Sequence, residues 1–259
     1  MSNALDWLIQ RPIAHRGLHD AAAGLIENTA GAVRAAIEGG YGIEIDLQVS
    51  RDGEAMVHHD ASLGRLTEGH GRLDALTATE LKGVAFRGSE ERMMTLGELC
   101  DLVGGRATML VELKSRFDGD ARLPLRVAAV LAPYRGPAAA MSFDPGQLAL
   151  LRRKASRLPC GITAAKYRPH PYWDQMPAWM RHGMGSLLTA FTARPRFVAY
   201  AVADLPAPAP LIARHVFGLP LLTWAVRNQE DRQTAARWAD QMIFEGFRPQ
   251  IMREDRWQH

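Results

Sequence analysis

A chain of 259 residues, 47% hydrophobic and 23% charged, can fill one large α/β core or two small ones and is not a disordered composition. Its net charge of +3 is spread along the sequence, which suits small anionic ligands and is too weak to argue for nucleic acid as a partner. No stretch reaches the ~18 apolar residues of a membrane span, the first ten residues lack a signal peptide's basic start and apolar run, and Cys100 and Cys160 form neither a CxxC pair nor a metal spacing. A soluble cytoplasmic protein with two buried, reduced thiols is therefore expected, and the sequence leaves its oligomeric state open.

Short apolar runs alternate with helical patterns along the chain. Strands are expected at 13–15, 43–49, 109–113, 138–143, 161–164, 197–202, 221–226 and 242–244. Between the first two, Asn28-Thr29 precedes AGAVRAAIEGG, a capped helix closed by Gly39-Gly40. Thr95 with Glu98 makes a capping box for LGELCDLV. Asp144 followed by Pro145 opens a helix over GQLALLRRKA. Strand and helix alternating about eight times predict a (β/α)8 TIM barrel, α/β in class. Two segments break the rhythm. Residues 51–92 are too long for one connection; AMVHHD reads there as a short hairpin strand and LDALTATELKG as a helical insertion after strand two. Residues 167–193, aromatic and rich in proline, read as a long loop or short helix over the barrel mouth.

The charges fall where a buried strand should have none. In GIEIDLQV, Glu44, Asp46 and Gln48 share one face and Ile43, Ile45, Leu47 and Val49 the other. A half-exposed antiparallel strand gives the same pattern, but a barrel strand has core on one side and helices on the other. Inward carboxylates about 7 Å apart along a strand repel unless a cation joins them, and a hard divalent ion is the natural one. MLVELKS repeats the theme, with Glu112 and Lys114 on one face. Glu112 can complete a three-carboxylate site, and Lys114 can hold an anion or simply pair with Glu112. In IAHRGLHD, His15 ends strand one, so His15, Asp46 and Lys114 all reach the C-terminal ends of parallel strands, where barrel active sites lie.

These residues come in a recognisable order: His15-Arg16-Gly17, Glu27-Asn28 with Thr29, Glu44-x-Asp46, Asp52-Gly53, His59-Asp60, Glu112-x-Lys114, and Trp224-x-Val226-x-Asn228 in the final third. The series, which runs over most of the chain, resembles the glycerophosphodiester phosphodiesterases. The resemblance implies a TIM barrel with a small insertion after strand two, over 1–259 as one domain. It implies a divalent cation, Mg2+ or Ca2+, on Glu44, Asp46 and Glu112, and His15 and His59 as catalytic residues. Arg16, Lys114 and Trp224 are the expected substrate contacts, Trp224 as an apolar wall or else a core residue. His58 is the spare histidine, because Ala55, Val57 and His59 alternate onto one face. Implied is metal-dependent hydrolysis of a small glycerophosphodiester, in lipid or glycerol metabolism, to sn-glycerol 3-phosphate and an alcohol. Two alternatives stay open. One is a lysophospholipase D-like enzyme using Trp173, Met176, Trp179 and Met180 as an apolar lip. The other is a barrel that binds phosphodiesters without cleaving them. Asn28 and Thr29 suit a helix cap or a supporting role at the site, and Glu27 is harder to explain by capping. One departure stands out: the family's closing D-G-I-x-T-D-x-P is DQMIFEGFRP here, so Glu245 either replaces the missing acid or leaves its interaction absent.

Overall fold

The computed structural model describes residues 5–169 and 176–251. Its strands are β1 (Ile13–Ala14), β2 (Gly42–Val49), β3 (Ala55–Val57), β4 (Met109–Leu113), β5 (Ala138–Ser142), β6 (Cys160–Ala164), β7 (Phe197–Ala201), β8 (Leu221–Val226) and β9 (Gln241–Phe244). All but β3 run parallel, each against its neighbour in the order β1, β2, β4 through β9. β1 then pairs with β9 through Ile13↔Ile243 and Ala14↔Phe244 and closes the cylinder. The eight expected strands are thus the eight staves of the barrel. β3 is the hairpin strand foreseen after Asp52-Gly53, antiparallel to β2 with Leu47↔Val57 in register.

The helices are α1 (Asp6–Ile9), α2 (Ala30–Glu38), α3 (Ala78–Lys82), α4 (Leu96–Val103), α5 (Arg122–Leu131), α6 (Pro145–Lys154), α7 (Ala178–Met184), α8 (Ala190–Ala193), α9 (Pro208–His215) and α10 (Gln229–Trp238). Local chemistry sets their starts. The Thr95–Glu98 capping box opens α4, and the Asp144 side chain accepts from Gly146 N ahead of Pro145 in α6. Such caps contribute about 1 kcal/mol each. No described helix is long and apolar enough to cross a membrane.

Two-residue periodicity sorts the strand side chains into two cores. Ile43, Ile45 and Leu47, with Met109, Val111 and Leu113, face outward into the helix layer. Ile13, Leu110, Ala139, Met141, Phe197, Ala199, Leu222 and Ile243 fill the cylinder, and Leu5 and Leu8 join them from the segment of α1. Gly161 is small for this packing: a Cβ there would sit 2.1 Å from the Phe197 ring. Glu44, Asp46 and Glu112 occupy the inward positions alternating with these outward residues, so their strands deliver carboxylates into the barrel.

The insertion between β2 and α4 has its own small core of Met56, Leu63, Leu73, Leu81, Phe86 and Met93. The 167–193 segment forms two short helices where it is described, and Met176, Met180, Met184, Leu187 and Ala193 bury one side of it against the main core. None of its described residues lines the cavity at the barrel mouth.

Candidate active site

The site lies at the C-terminal ends of the staves, where the chain leaves each strand. β1 stops at Ala14, and the next three residues turn away. Arg16 (φ 55°) and Gly17 (φ 78°) both adopt left-handed backbone, and a Cβ on Gly17 would stand 2.9 Å from the Ala32 carbonyl carbon. Here glycine is required twice over, by conformation and by space. Gly17→Ala is therefore expected to destabilise the fold by about 2 kcal/mol or more. The measurement is the urea unfolding midpoint, and an unchanged midpoint would refute the argument.

The turn aims three groups into the barrel. Arg16 N donates to Glu44 Oε2 at 3.0 Å, and its guanidinium reaches Glu27 Oε1 at 2.8 Å and lies 3.3 Å from Asp46 Oδ2. The His15 ring meets Glu245 at 2.5 Å through Nδ1, while Nε2 lies 3.9 Å from Glu44. Glu245, just past the end of β9, is thus the carboxylate partner of His15. It also pairs with Arg227 and stands 3.7 Å from His19.

Glu44, Asp46 and Glu112 are all buried, and one carboxylate oxygen from each lies within 4.8 Å of the others. Asp46 and Glu112 are cross-strand partners in the β2–β4 register. Lys114 Nζ bridges them, 2.8 Å from Asp46 Oδ1 and 2.6 Å from Glu112 Oε1. Asn28 holds Asp46 from both sides: Nδ2 donates to Asp46 Oδ2 at 2.9 Å, and Oδ1 accepts from Asp46 N at 3.1 Å. Asn28 (φ 59°) is therefore a brace for the acid, and Thr29 alone caps α2.

The electrostatics divide the three acids. Burial and the charges of Asp46 and Glu112 push the Glu44 carboxyl well above the usual carboxylate range. Burial presses on Asp46 too, but Lys114, His59, Arg16 and His15 hold it far below that range. Glu44 Oε1 is buried without a hydrogen-bond partner among the described residues. An orphaned oxygen facing two other acids, in an all-oxygen donor set, fits a hard divalent cation. Burial lowers the His15 pKa, and the hydrogen bond to Glu245 works the other way. Glu245 itself is held well below its ordinary value, despite burial, by hydrogen bonds from His15 and His19 and by the Arg227 charge.

A cavity of about 580 Å³ opens above the acids. His15, Arg16, His59, Glu112, Lys114 and Trp224 all line it. Trp224 is half-buried, edge-on to Phe143 with ring centres 5.6 Å apart. His59 follows β3 and its Nδ1 lies 2.7 Å from Asp60 Oδ1; Gln48 Nε2 donates to the His59 carbonyl at 2.8 Å. His58 turns the other way, 2% exposed beside Phe86 in the insertion. Of the sequence-derived residues outside the cavity, Trp179 faces solvent at 67% exposure, Met176 and Met180 are buried, and Trp173 lies outside the described residues. Sequence reasoning missed Asp60 as the partner of His59 and gave no place to Arg65. Arg65 sits in the insertion, its Nε 2.5 Å from Asp60 and its Nη2 2.6 Å from Glu27.

The fold recurs in known proteins. A structure from Silicibacter pomeroyi described as a putative glycerophosphoryl diester phosphodiesterase superposes with a TM-score of 0.75 at 24% identity, covering 93% of each chain. A phosphodiesterase from Oleispira antarctica, solved with the product sn-glycerol-3-phosphate, gives a TM-score of 0.73 at 18% identity over 92% of this chain and 94% of its own. At these identities the likeness shows the fold. A glycerophosphodiester phosphodiesterase from Caldanaerobacter subterraneus is 37% identical over 111 residues, 40% of this chain and 44% of that protein. Glycerophosphodiester phosphodiesterase 1 of Mus musculus is 29% identical over 168 residues, 61% of this chain and 49% of that protein. The chain thus spans about half the length of these curated relatives. The family model described as the glycerophosphoryl diester phosphodiesterase family matches residues 15–248, from the histidine that ends β1 to just past Glu245, and this chain belongs to that family.

Proposed function

We propose that the chain hydrolyses glycerophosphodiesters to sn-glycerol 3-phosphate and an alcohol, with a divalent cation and two histidines. The observation that carries this reading is one cavity lined by His15, His59, Arg16 and Lys114 together with Glu112, which belongs to a cluster of three buried acids. Glu44, Asp46 and Glu112 would hold the metal, Mg2+ or Ca2+, whose charge when bound offsets charge building on the non-bridging phosphate oxygens. Arg16 and Lys114 line the same cavity and offer donors to those oxygens. Trp224, Phe143, Met141 and Leu123 supply an apolar wall for glycerol or the leaving group.

The histidines' partners fix their chemistry. An ionised Glu245 requires a donor, so His15 presents Nδ1–H to it and keeps Nε2 for the substrate. Asp60, held low by hydrogen bonds from His59 and Arg65 in spite of burial, does the same for His59. Cleavage needs one proton taken from the attacking hydroxyl of the glycerol and one given to the departing alkoxide. His15 and His59 perform this pair of transfers, the attacking oxygen closing a cyclic phosphate as the P–O bond to the alcohol breaks. They exchange roles when water opens the ring. The free thiols Cys100 and Cys160, both buried and raised to about 11 by burial, suit a reducing cytoplasm.

Release of glycerol 3-phosphate from glycerophosphocholine and glycerophosphoethanolamine tests the reading, first in EDTA and then with Mg2+ or Ca2+ restored. Turnover is expected to vanish with chelator and return with metal. Folded protein that cleaves neither substrate with either ion would overturn it. Met176 and Met180 are buried and Trp179 lies away from the cavity, so these residues give a lipid tail no place beside the phosphate.

A further inference from the structure

Six charged or ionisable groups form one chain of contacts from the second histidine back to the barrel wall. His59 Nδ1 meets Asp60 Oδ1 at 2.7 Å, and Asp60 Oδ2 meets Arg65 Nε at 2.5 Å. Arg65 Nη2 reaches Glu27 Oε1 at 2.6 Å and its Nη1 reaches Glu27 Oε2 at 3.3 Å. Glu27 Oε1 also accepts from Arg16 Nη1 at 2.8 Å, and Arg16 Nε lies 3.3 Å from Asp46. The signs alternate along the path from Asp60 to Asp46.

Arg65 is the link that belongs to neither end. Arg16 and Asp60 line the cavity; Arg65 and Glu27 do not. Arg65 sits six residues beyond His59 in the insertion, on a loop pinned by the Gly64 N to Thr67 Oγ1 and Leu63 N to Gly71 O bonds. Glu27 sits on the far side, in the segment leading to α2, and is fixed by Arg16 at the end of β1. The Arg65 guanidinium is the piece that joins the insertion's histidine to the barrel's half of the site. A planar guanidinium spreads its donors over separate edges and so can hold two carboxylates that stand apart, whereas the single nitrogen of an ammonium joins only carboxylates that converge on one point, as Asp46 and Glu112 do on Lys114.

On the reading of the site given above, we propose that Arg65 is a positioning residue for proton transfer: it clamps Asp60 between itself and His59 and so fixes the orientation of the His59 ring. Without it the Asp60 carboxylate is free to turn to solvent, and the ring loses the acceptor that directs Nε2 into the cavity. Its effect belongs to the transition state, because Arg65 does not line the cavity that would hold the substrate.

The test uses the full chain with Mg2+ and glycerophosphoethanolamine. Arg65→Ala is expected to lower kcat by about 10–100-fold, the scale of supporting-residue losses, with KM close to the parent's. Arg65→Lys should recover little of this. Guanidinium ion at millimolar concentration should restore part of the activity to Arg65→Ala and none to the parent or to Arg65→Lys. A fold merely weakened by the substitution would not respond in this way to a mild denaturant. In an Asp60→Asn background the Arg65→Ala loss should shrink to a small residue, because the clamp has already been opened. Parent-like kcat in Arg65→Ala, or a loss undiminished beside Asp60→Asn, would overturn the proposal. So would failure of guanidinium to rescue a folded Arg65→Ala protein. A parent inactive on both diesters would instead strike at the proposed reaction and not at the clamp.

Discussion

Glu44→Gln is expected to lower hydrolysis by about 10³-fold, some 4 kcal/mol of barrier, while making the metal-free protein more stable. The two effects have one cause. Glu44 is buried beside Asp46 and Glu112, and its carboxyl is raised well above the ordinary 4.5. A carboxyl whose folded value exceeds its unfolded value contributes its full share of stability below the unfolded value and loses it as pH climbs through the folded one. The metal-free fold must therefore weaken at this position as pH climbs above the ordinary 4.5 and through the raised folded value. Glutamine carries no charge across that range, can still accept from Arg16 N through its carbonyl, and offers amide N–H groups to the neighbouring acids. A gain of about 1 kcal/mol is the scale of one repaired buried polar contact. Thermal unfolding in EDTA across that range should show the parent falling more steeply than the variant. Metal at a hundred times its dissociation constant should raise the parent by about 2.7 kcal/mol and the variant far less. Equal pH slopes, or equal metal stabilisation, would remove Glu44 from the cation site.

The barrel was legible because its signals are local and repeated: short apolar runs, caps at Thr95 and Asp144, and alternation in GIEIDLQV. Period-2 patterning alone put Glu44 and Asp46 on the face opposite Ile43, Ile45 and Leu47, and the structure turns that face inward. What the pattern could not supply is register. That Asp46 stands beside Glu112, not a residue above or below, is a property of the β2–β4 pairing. Asn28 shows a second limit. Asparagine before a threonine-capped helix suits a cap as well as a brace, and only left-handed backbone at φ 59° with two bonds to Asp46 separates them. Glu245 was ambiguous because it is a single residue past the end of β9, where no periodicity constrains it; its meaning comes from His15, 230 residues away in sequence. Arg65 left no trace for the same reason, since its partner Glu27 is 38 residues back and in a different element. The 167–193 segment defeats pattern reading because α7 and α8 have seven and four residues, too few turns for a helical period to emerge.

His15→Ala and His59→Ala are each expected to lower kcat by about 10²–10⁴-fold, the range for a positioned general acid or base. The double variant should lose little more than the worse single one, because the two rings act on the same pair of transfers. Glu245 makes the argument for His15 sharper. Burial and the nearby Arg16 charge lower the His15 pKa below 6.5, and the Glu245 hydrogen bond and charge oppose them. In Glu245→Gln the amide oxygen can still accept from Nδ1–H, so the ring keeps its tautomer and part of its orientation. The opposing charge is gone, however, so the imidazolium becomes harder to form. The loss should therefore be about tenfold, the low end of supporting-residue effects, and the acid limb of the kcat/KM profile should move to lower pH. Glu245→Leu, which can accept nothing, should approach the His15→Ala rate. Profiles of kcat/KM against pH for the parent and Glu245→Gln decide the matter. An acid limb that stays put or moves upward would detach Glu245 from the ionisation of His15, and near-normal turnover in both alanine variants would detach the histidines from the chemistry. Asp60→Asn tests the same logic at the second ring, where the carboxylate is again the group that reads out whether a histidine's orientation, and not its presence alone, sets the rate.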